Sequence, residues 1–284
     1  MKLPKDYFQT HFRTVLIICA SFLLCTGCRT KATVLAWDTA KVSSDFPESK
    51  LKLPSSGVCF SGGGTRAMNC AIGQLRGLQE ADLFGDIGYI SAVSGGSWAA
   101  SIFTYYQSGA ANDRQLLGDT IAPDSITMDK LKHMPEGFMG EVITRSLEAD
   151  LFERLGLNLL SVGALQKMDF IWIDGVGHTY LKPFGLYNPE NPKYFTLDTT
   201  TRDSIIKRNP KLKKNDFIHV RNEDGGIKRP FLVINSSLLA PAKDLPLKNP
   251  ENLSVFNYTP LYIGSNVGMR ITDTNLITKE SVSF

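Results

Sequence analysis

The chain has 284 residues, enough to bury a sizeable core as one large domain or two modest ones. Its 43% hydrophobic and 21% charged content exclude a disordered or fibrous chain. A net charge of +3 without a dense Lys/Arg block excludes nucleic acid as the main partner, and the small cluster at Arg208 and Lys211–Lys214 reads as a solvated loop.

Lys2, Lys5 and Arg13 flank an apolar run from Val15 to Leu24 that is too short to span a bilayer as a helix. Cys25-Thr26-Gly27-Cys28 follows, and small residues before a cysteine resemble a bacterial lipoprotein signal. Residues 1–27 are therefore expected to be a signal peptide, with lipidation at Cys28. The expected location is the cell envelope, as an exported, membrane-anchored lipoprotein. An ordinary export signal or a single-helix anchor is the alternative. Residues 28–55 read as a tether and lead-in, with Val34–Trp37 a candidate edge strand. Cys59 and Cys70 are expected to be buried, unpaired thiols.

Gly57–Phe60 is a short apolar run rich enough in β formers for a buried strand. Three glycines end it, and Ala67, Cys70, Ala71, Leu75 and Leu78 then recur at helical spacing over Thr65–Gln79. Ile87–Val93 is a second strand and Ser97–Tyr106 a second helix. Strand, tight turn, helix, repeated, predicts a parallel sheet with crossover helices. From Gln107 to Arg229 the periodicity weakens, apart from stretches such as Gly140–Leu155, and this insertion (about 109–229) reads as a cap enclosing a site. Pro230–Asn235 returns to a buried-strand signal. The expected fold is α/β, a three-layer sandwich with a central, mostly parallel sheet and an inserted cap, formed by residues 56–284.

Both glycine-rich junctions fall at strand carboxyl ends, where such sheets bind ligands. Ser94 follows a strand, precedes a helix and has Gly95 and Gly96 on its helical side. That is the setting of a serine nucleophile on a strained turn, with Ala92 in place of the first glycine of Gly-x-Ser-x-Gly. A simple helix N-cap is the bland alternative. Ser97 is the competing hydroxyl, disfavoured by Trp98 beside it. The triplet Gly62-Gly63-Gly64 can present unobstructed backbone N–H groups to a tetrahedral oxyanion, and Gly63 and Gly64 are the candidate donors. The triplet lacks the Gly-Lys-Ser/Thr end of a P-loop and the Gly-x-Gly-x-x-Gly of a dinucleotide site.

Ser-Gly-Gly-Gly-x-Arg-Ala-Met at Ser61–Met68 and Ser-Gly-x-x-Trp at Ser94–Trp98 resemble the catalytic core of cytosolic phospholipase A2 and the related lysophospholipases, within the patatin-like acyl hydrolases. Pro230-Phe231 and Phe256–Ser265 extend the resemblance more loosely. It implies a hydrolase that cleaves fatty-acyl esters of phospholipids or lysophospholipids at a membrane surface. Ser94 would be the nucleophile, Gly63 and Gly64 the oxyanion hole, and Arg66 the holder of the lipid phosphate, a role suited to a guanidinium fork. No cofactor or metal is implied.

The family pairs its serine with an aspartate beyond the Phe-x-Phe-Thr-Pro segment. After Ile263 the sequence offers Asp273, followed by Thr274 rather than Gly or Ser, so the segment carrying the dyad acid is expected to be missing. Asp224-Gly225-Gly226 resembles a patatin motif but reads as a hairpin turn. Asp174-Gly175 lies in the insertion. Two other readings stay open. One is a Ser–His–Asp esterase using His133, His178 or His219, with Asp174 and His219 in the hydrolase order. The other is a non-catalytic, membrane-tethered lipoprotein that binds lipid or a partner through a degenerate site.

Overall fold

Apolar runs that end in glycine become the inner strands of one sheet. The computed structural model describes residues 47–107, 113–132, 137–145, 168–221, 229–239 and 253–264. Its strands are β1 (Ser56–Phe60), β2 (Ile87–Val93), β3 (Tyr194–Thr196), β4 (Phe217–His219), β5 (Phe231–Leu239), β6 (Leu253–Tyr258) and β7 (Ile263–Gly264). Its α-helices are α1 (Gly64–Glu80), α2 (Gly95–Tyr105), α3 (Asp113–Leu117), α4 (Met128–Lys132), α5 (Phe138–Arg145), α6 (Met168–Val176) and α7 (Thr199–Arg208).

The central sheet has the order β1-β2-β5-β6-β7, with β3 and β4 paired in a separate small sheet. β2 is parallel to both of its neighbours, β1 and β5. β5–β6 and β6–β7 are antiparallel, so the sheet is mixed rather than mostly parallel. The reversal into β7 is a tight turn. Thr259 Oγ1 accepts the N–H groups of Leu261 and Tyr262 and donates to the Tyr262 carbonyl, which leaves no room for a crossover helix.

One face of the sheet is covered by helices. Met68, Ala71, Ile72 and Leu75 of α1 pack with Ala99, Ala100, Ile102 and Phe103 of α2 onto Phe60, Ile90, Ala92 and Leu232. Met68 and Leu75 are fully buried, and each such side chain contributes about 1.5–3 kcal/mol. The alternate residues point the other way. Cys59, in register with Ser91, is exposed, and so is Val93. Among the described residues the sheet is flanked by helices, α1 and α2 covering the face that carries Phe60, Ile90, Ala92 and Leu232. Cys70 is exposed as well, because it lies on the outward side of α1 between buried Met68 and Ala71. The expectation of two buried thiols is therefore corrected.

Among the described residues the insertion does not form a clearly separate cap. Leu116 and Leu117 of α3, Met139, Val142 and Ile143 of α5, and Val176, Tyr180, Phe184 and Leu186 join the same core as the sheet. Arg229 fastens the joint. Its guanidinium bonds both carboxylate oxygens of Asp113 and lies 3.9 Å over the Phe103 ring. A buried charge paired and stacked in this way is costly to break from one side. Of the expected helix Gly140–Leu155, α5 covers the first part, and residues 146–155 lie outside the described set, as do Val34–Trp37 and Cys28.

Candidate active site

Ser94 is the single residue between β2 and α2, and its backbone is unusual. Its φ is 51° and its ψ −126°, a region that an L-residue other than glycine rarely enters. Such a conformation costs roughly 1–3 kcal/mol and persists only where the surroundings over-determine it. Here they do. Ser94 makes no side-chain capping bond to α2, which removes the N-cap alternative. Its carbonyl instead receives the N–H groups of Ser97 (2.8 Å) and Trp98 (3.2 Å) and the Ser97 hydroxyl (2.5 Å). Ser97 is 8% exposed and occupied as a brace, while Ser94 is exposed at the carboxyl end of β2. The two serines have thus separated into support and exposed hydroxyl.

Beneath this turn the strand ends are tied by amides. Asn235 Nδ2 donates to Ser91 Oγ (2.9 Å) and to the Ala92 carbonyl (3.2 Å), and Asn257 Nδ2 donates to Asn235 Oδ1 (2.8 Å). This ladder joins β2, β5 and β6 one register step from the serine, since Val93 faces Asn235 and Asn235 faces Asn257. Buried polar groups paired in this way fix a single arrangement.

The first junction sits directly against the second. A Cβ placed on Gly62 would lie 3.3 Å from Ser94 Cβ. Placed on Gly95 it would lie 1.9 Å from the Gly64 carbonyl oxygen, and on Gly96, 2.6 Å from that of Ser61. At Gly95 and Gly96 only glycine permits the approach. Gly63 and Gly64 have φ values of 136° and 61°, and Gly63, at the N-cap of α1, provides no side-chain cap. The first-turn N–H groups of α1 thus lack intrahelical acceptors, and the helix dipole adds to their pull on an anion. Arg66 follows on the first turn of α1, exposed and without an ion-pair partner among the described residues.

Of the candidate acids and histidines, Asp174 lies on α6, His178 in the turn that follows it, and His219 on β4. Asp174 is 7% exposed and accepts from the Tyr187 hydroxyl at 3.0 Å, while His178 Nε2 lies 3.2 Å from the same oxygen. Burial, and then the hydrogen bond to Asp174, push the Tyr187 hydroxyl up to about 12. His219 lies at the end of β4, its Nδ1 2.7 Å from Thr196 Oγ1 and its Nε2 3.5 Å from Arg202. Asp174 is therefore paired with His178, one helical turn away, rather than with His219, which corrects that triad expectation. His133, Asp224 and Asp273 lie outside the described residues. A cavity of about 170 Å³ lined by Leu53, Val220, Arg229 and Phe231 opens at the start of β5, the opposite end of the sheet from Ser94.

No family model matches the chain. It is 33% identical to human cytosolic phospholipase A2 zeta over 141 residues, which is 50% of this chain and 15% of that protein. It is 43% identical to the mouse zeta protein over 67 residues, 24% of this chain and 8% of that protein. It is 33% identical to human cytosolic phospholipase A2 beta over 81 residues, 28% of this chain and 10% of that protein. Among solved structures, human GIVD cytosolic phospholipase A2 aligns with 93% of this chain and 27% of its own, at 16% identity and a TM-score of 0.37. The chain is thus distantly homologous, over part of its length, to cytosolic phospholipase A2 proteins, and it spans a small fraction of the curated relatives it matches.

These relatives overturn the expected location. They are mammalian proteins named as cytosolic, so the reading as an exported, membrane-anchored bacterial lipoprotein is corrected. No helix of the described residues is long and apolar enough to cross a membrane.

Sequence reasoning missed three contributors. Gly95 and Gly96 were read only as the glycines on the helical side of Ser94, yet they are the close-approach points between the turns. Tyr180 had no local signal at all. Its hydroxyl lies 2.6 Å from Thr65 Oγ1, and its ring stacks on Trp98 at 5.2 Å.

Proposed function

We propose that this chain is a serine acyl hydrolase acting on fatty-acyl esters of phospholipids or lysophospholipids. The observation that carries the reading is the backbone of Ser94, strained at the end of a central strand and backed by a second glycine-rich turn. In the proposed reaction Ser94 Oγ attacks the ester carbonyl carbon. The carbonyl oxygen becomes an oxyanion that takes hydrogen bonds from the N–H groups of Gly63 and Gly64. The carbon–oxygen bond to the glycerol breaks, the serine proton passes through a base to the leaving alcohol, and water then hydrolyses the acyl-serine. Arg66, on the same turn of α1 as the oxyanion donors, holds the headgroup phosphate. Partial homology to proteins named as phospholipases supports a hydrolase at family level.

A fluorophosphonate probe tests the assignment. It should label the chain at Ser94, and Ser94→Ala should abolish both labelling and hydrolysis of a lysophospholipid while circular dichroism stays unchanged. Full turnover by Ser94→Ala would sink the reading.

A further inference from the structure

We infer that Tyr180 is a positioning residue for the oxyanion-binding turn, acting through Thr65; this rests on the reading of Ser94 and Gly64 given above. Tyr180 is 1% exposed, yet it comes from the insertion, 115 residues along the chain from its partner. Its two ends hold the two junctions. The hydroxyl, 2.6 Å from Thr65 Oγ1, fixes the residue directly after Gly64. The ring, stacked on Trp98, bears on the first turn of α2 behind Ser94. One side chain thereby sets the spacing between the proposed donors and the proposed nucleophile. A donor must lie within a few tenths of an ångström of its place to stabilise a transition state.

The backbone that carries Tyr180 is itself held. Gly177–Leu181 is a π-helical turn, a form found mostly as single turns and often near functional sites. A Cβ on Gly177 would lie 2.6 Å from the Tyr187 ring, so that ring packs flush on the turn. Tyr187 bonds Asp174, and Asp174 holds His178 within the turn. The buried acid and histidine of the insertion thus anchor the π-turn that delivers Tyr180.

The hydroxyl can be removed without the ring. In the full chain, Tyr180→Phe should lower kcat for ester hydrolysis about tenfold, with KM changed less than about twofold and the melting temperature nearly kept; the loss is smaller than for deleting a donor outright. Thr65→Val should do the same, and the double variant should be no worse than either single, because both remove one link. Fluorophosphonate labelling of Ser94 should slow in parallel. Wild-type kcat in Tyr180→Phe, a loss that Thr65→Val does not share, or additive losses would overturn the inference while leaving Ser94 as nucleophile. Absence of labelling in the wild-type chain would instead bring down the reading of Ser94, and the role of Tyr180 with it.

Discussion

The two glycine-rich junctions are built alike and strained differently. Each ends a strand, turns sharply and opens a helix without a side-chain cap. At the first, the left-handed backbone falls on Gly63 and Gly64, where it costs little. At the second it falls on Ser94, although Gly95 and Gly96 stand next to it. A chain selected only to turn would put glycine at the strained position. Keeping a hydroxyl there spends stability on an exposed oxygen. The glycines beside it serve another need, the close approach of the two turns.

The largest effect should come from trading that hydroxyl for ease. Ser94→Gly should relieve roughly 1 kcal/mol of backbone strain or more and raise the melting temperature. Ester hydrolysis should fall by about 10⁴-fold or more. Calorimetry beside a turnover assay checks both. A Ser94→Gly protein that is active, or less stable than wild type, would break the contrast between the junctions.

The next effect separates strain from clash. Gly95→Ala must push a methyl into the Gly64 carbonyl and should cost about 3 kcal/mol or more in urea unfolding. Gly64→Ala meets nothing within 4 Å and carries only the penalty of its φ of 61°, about 1 kcal/mol. Equal losses would mean that the turns do not approach as described.

Arg66 asks whether the first junction also reads the substrate. Arg66→Ala should lower kcat/KM for a phospholipid about tenfold and leave a neutral aryl ester unaffected. Stability should hold, since the side chain is exposed. Arg66→Lys should recover only part, because an ammonium lacks the planar fork. A loss equal for both substrates would assign the arginine to the turn's structure.

Much of this site could be read from residue order, for identifiable reasons. The limits of β2 at Ile87 and Val93 are those the apolar run predicts, and α1 and α2 begin within two residues of the expected starts, because glycine punctuates both ends. Direction was less legible. An alternating strand looks the same whether it runs parallel or antiparallel, so β6 and β7 gave no sign of the reversal. Nor did the insertion reveal that its apolar residues join the main core. The bond from Thr65 to Tyr180 crosses 115 residues and depends on a π-turn that no periodicity announces. Asp174 and His219 looked like acid and base by order, but a carboxylate one helical turn from His178 takes the nearer imidazole.

The smallest effect lies away from both junctions and sharpens the contrast by its silence there. His219 belongs to the small β3–β4 sheet, held by Thr196 and facing Arg202. Burial, and then the nearby Arg202 charge, depress its pKa below the ordinary 6.5. The unfolded chain therefore takes up the proton first as pH falls. The stability linked to neutral His219 is present above about pH 6.5 and is lost progressively below it, down to the folded-state pKa. His219→Gln should flatten the acid side of a plot of melting temperature against pH. Fluorophosphonate labelling of Ser94 at pH 7 should keep its wild-type rate. An unchanged acid slope would remove His219 from the stability account, and a collapse of labelling would make it the base of a triad.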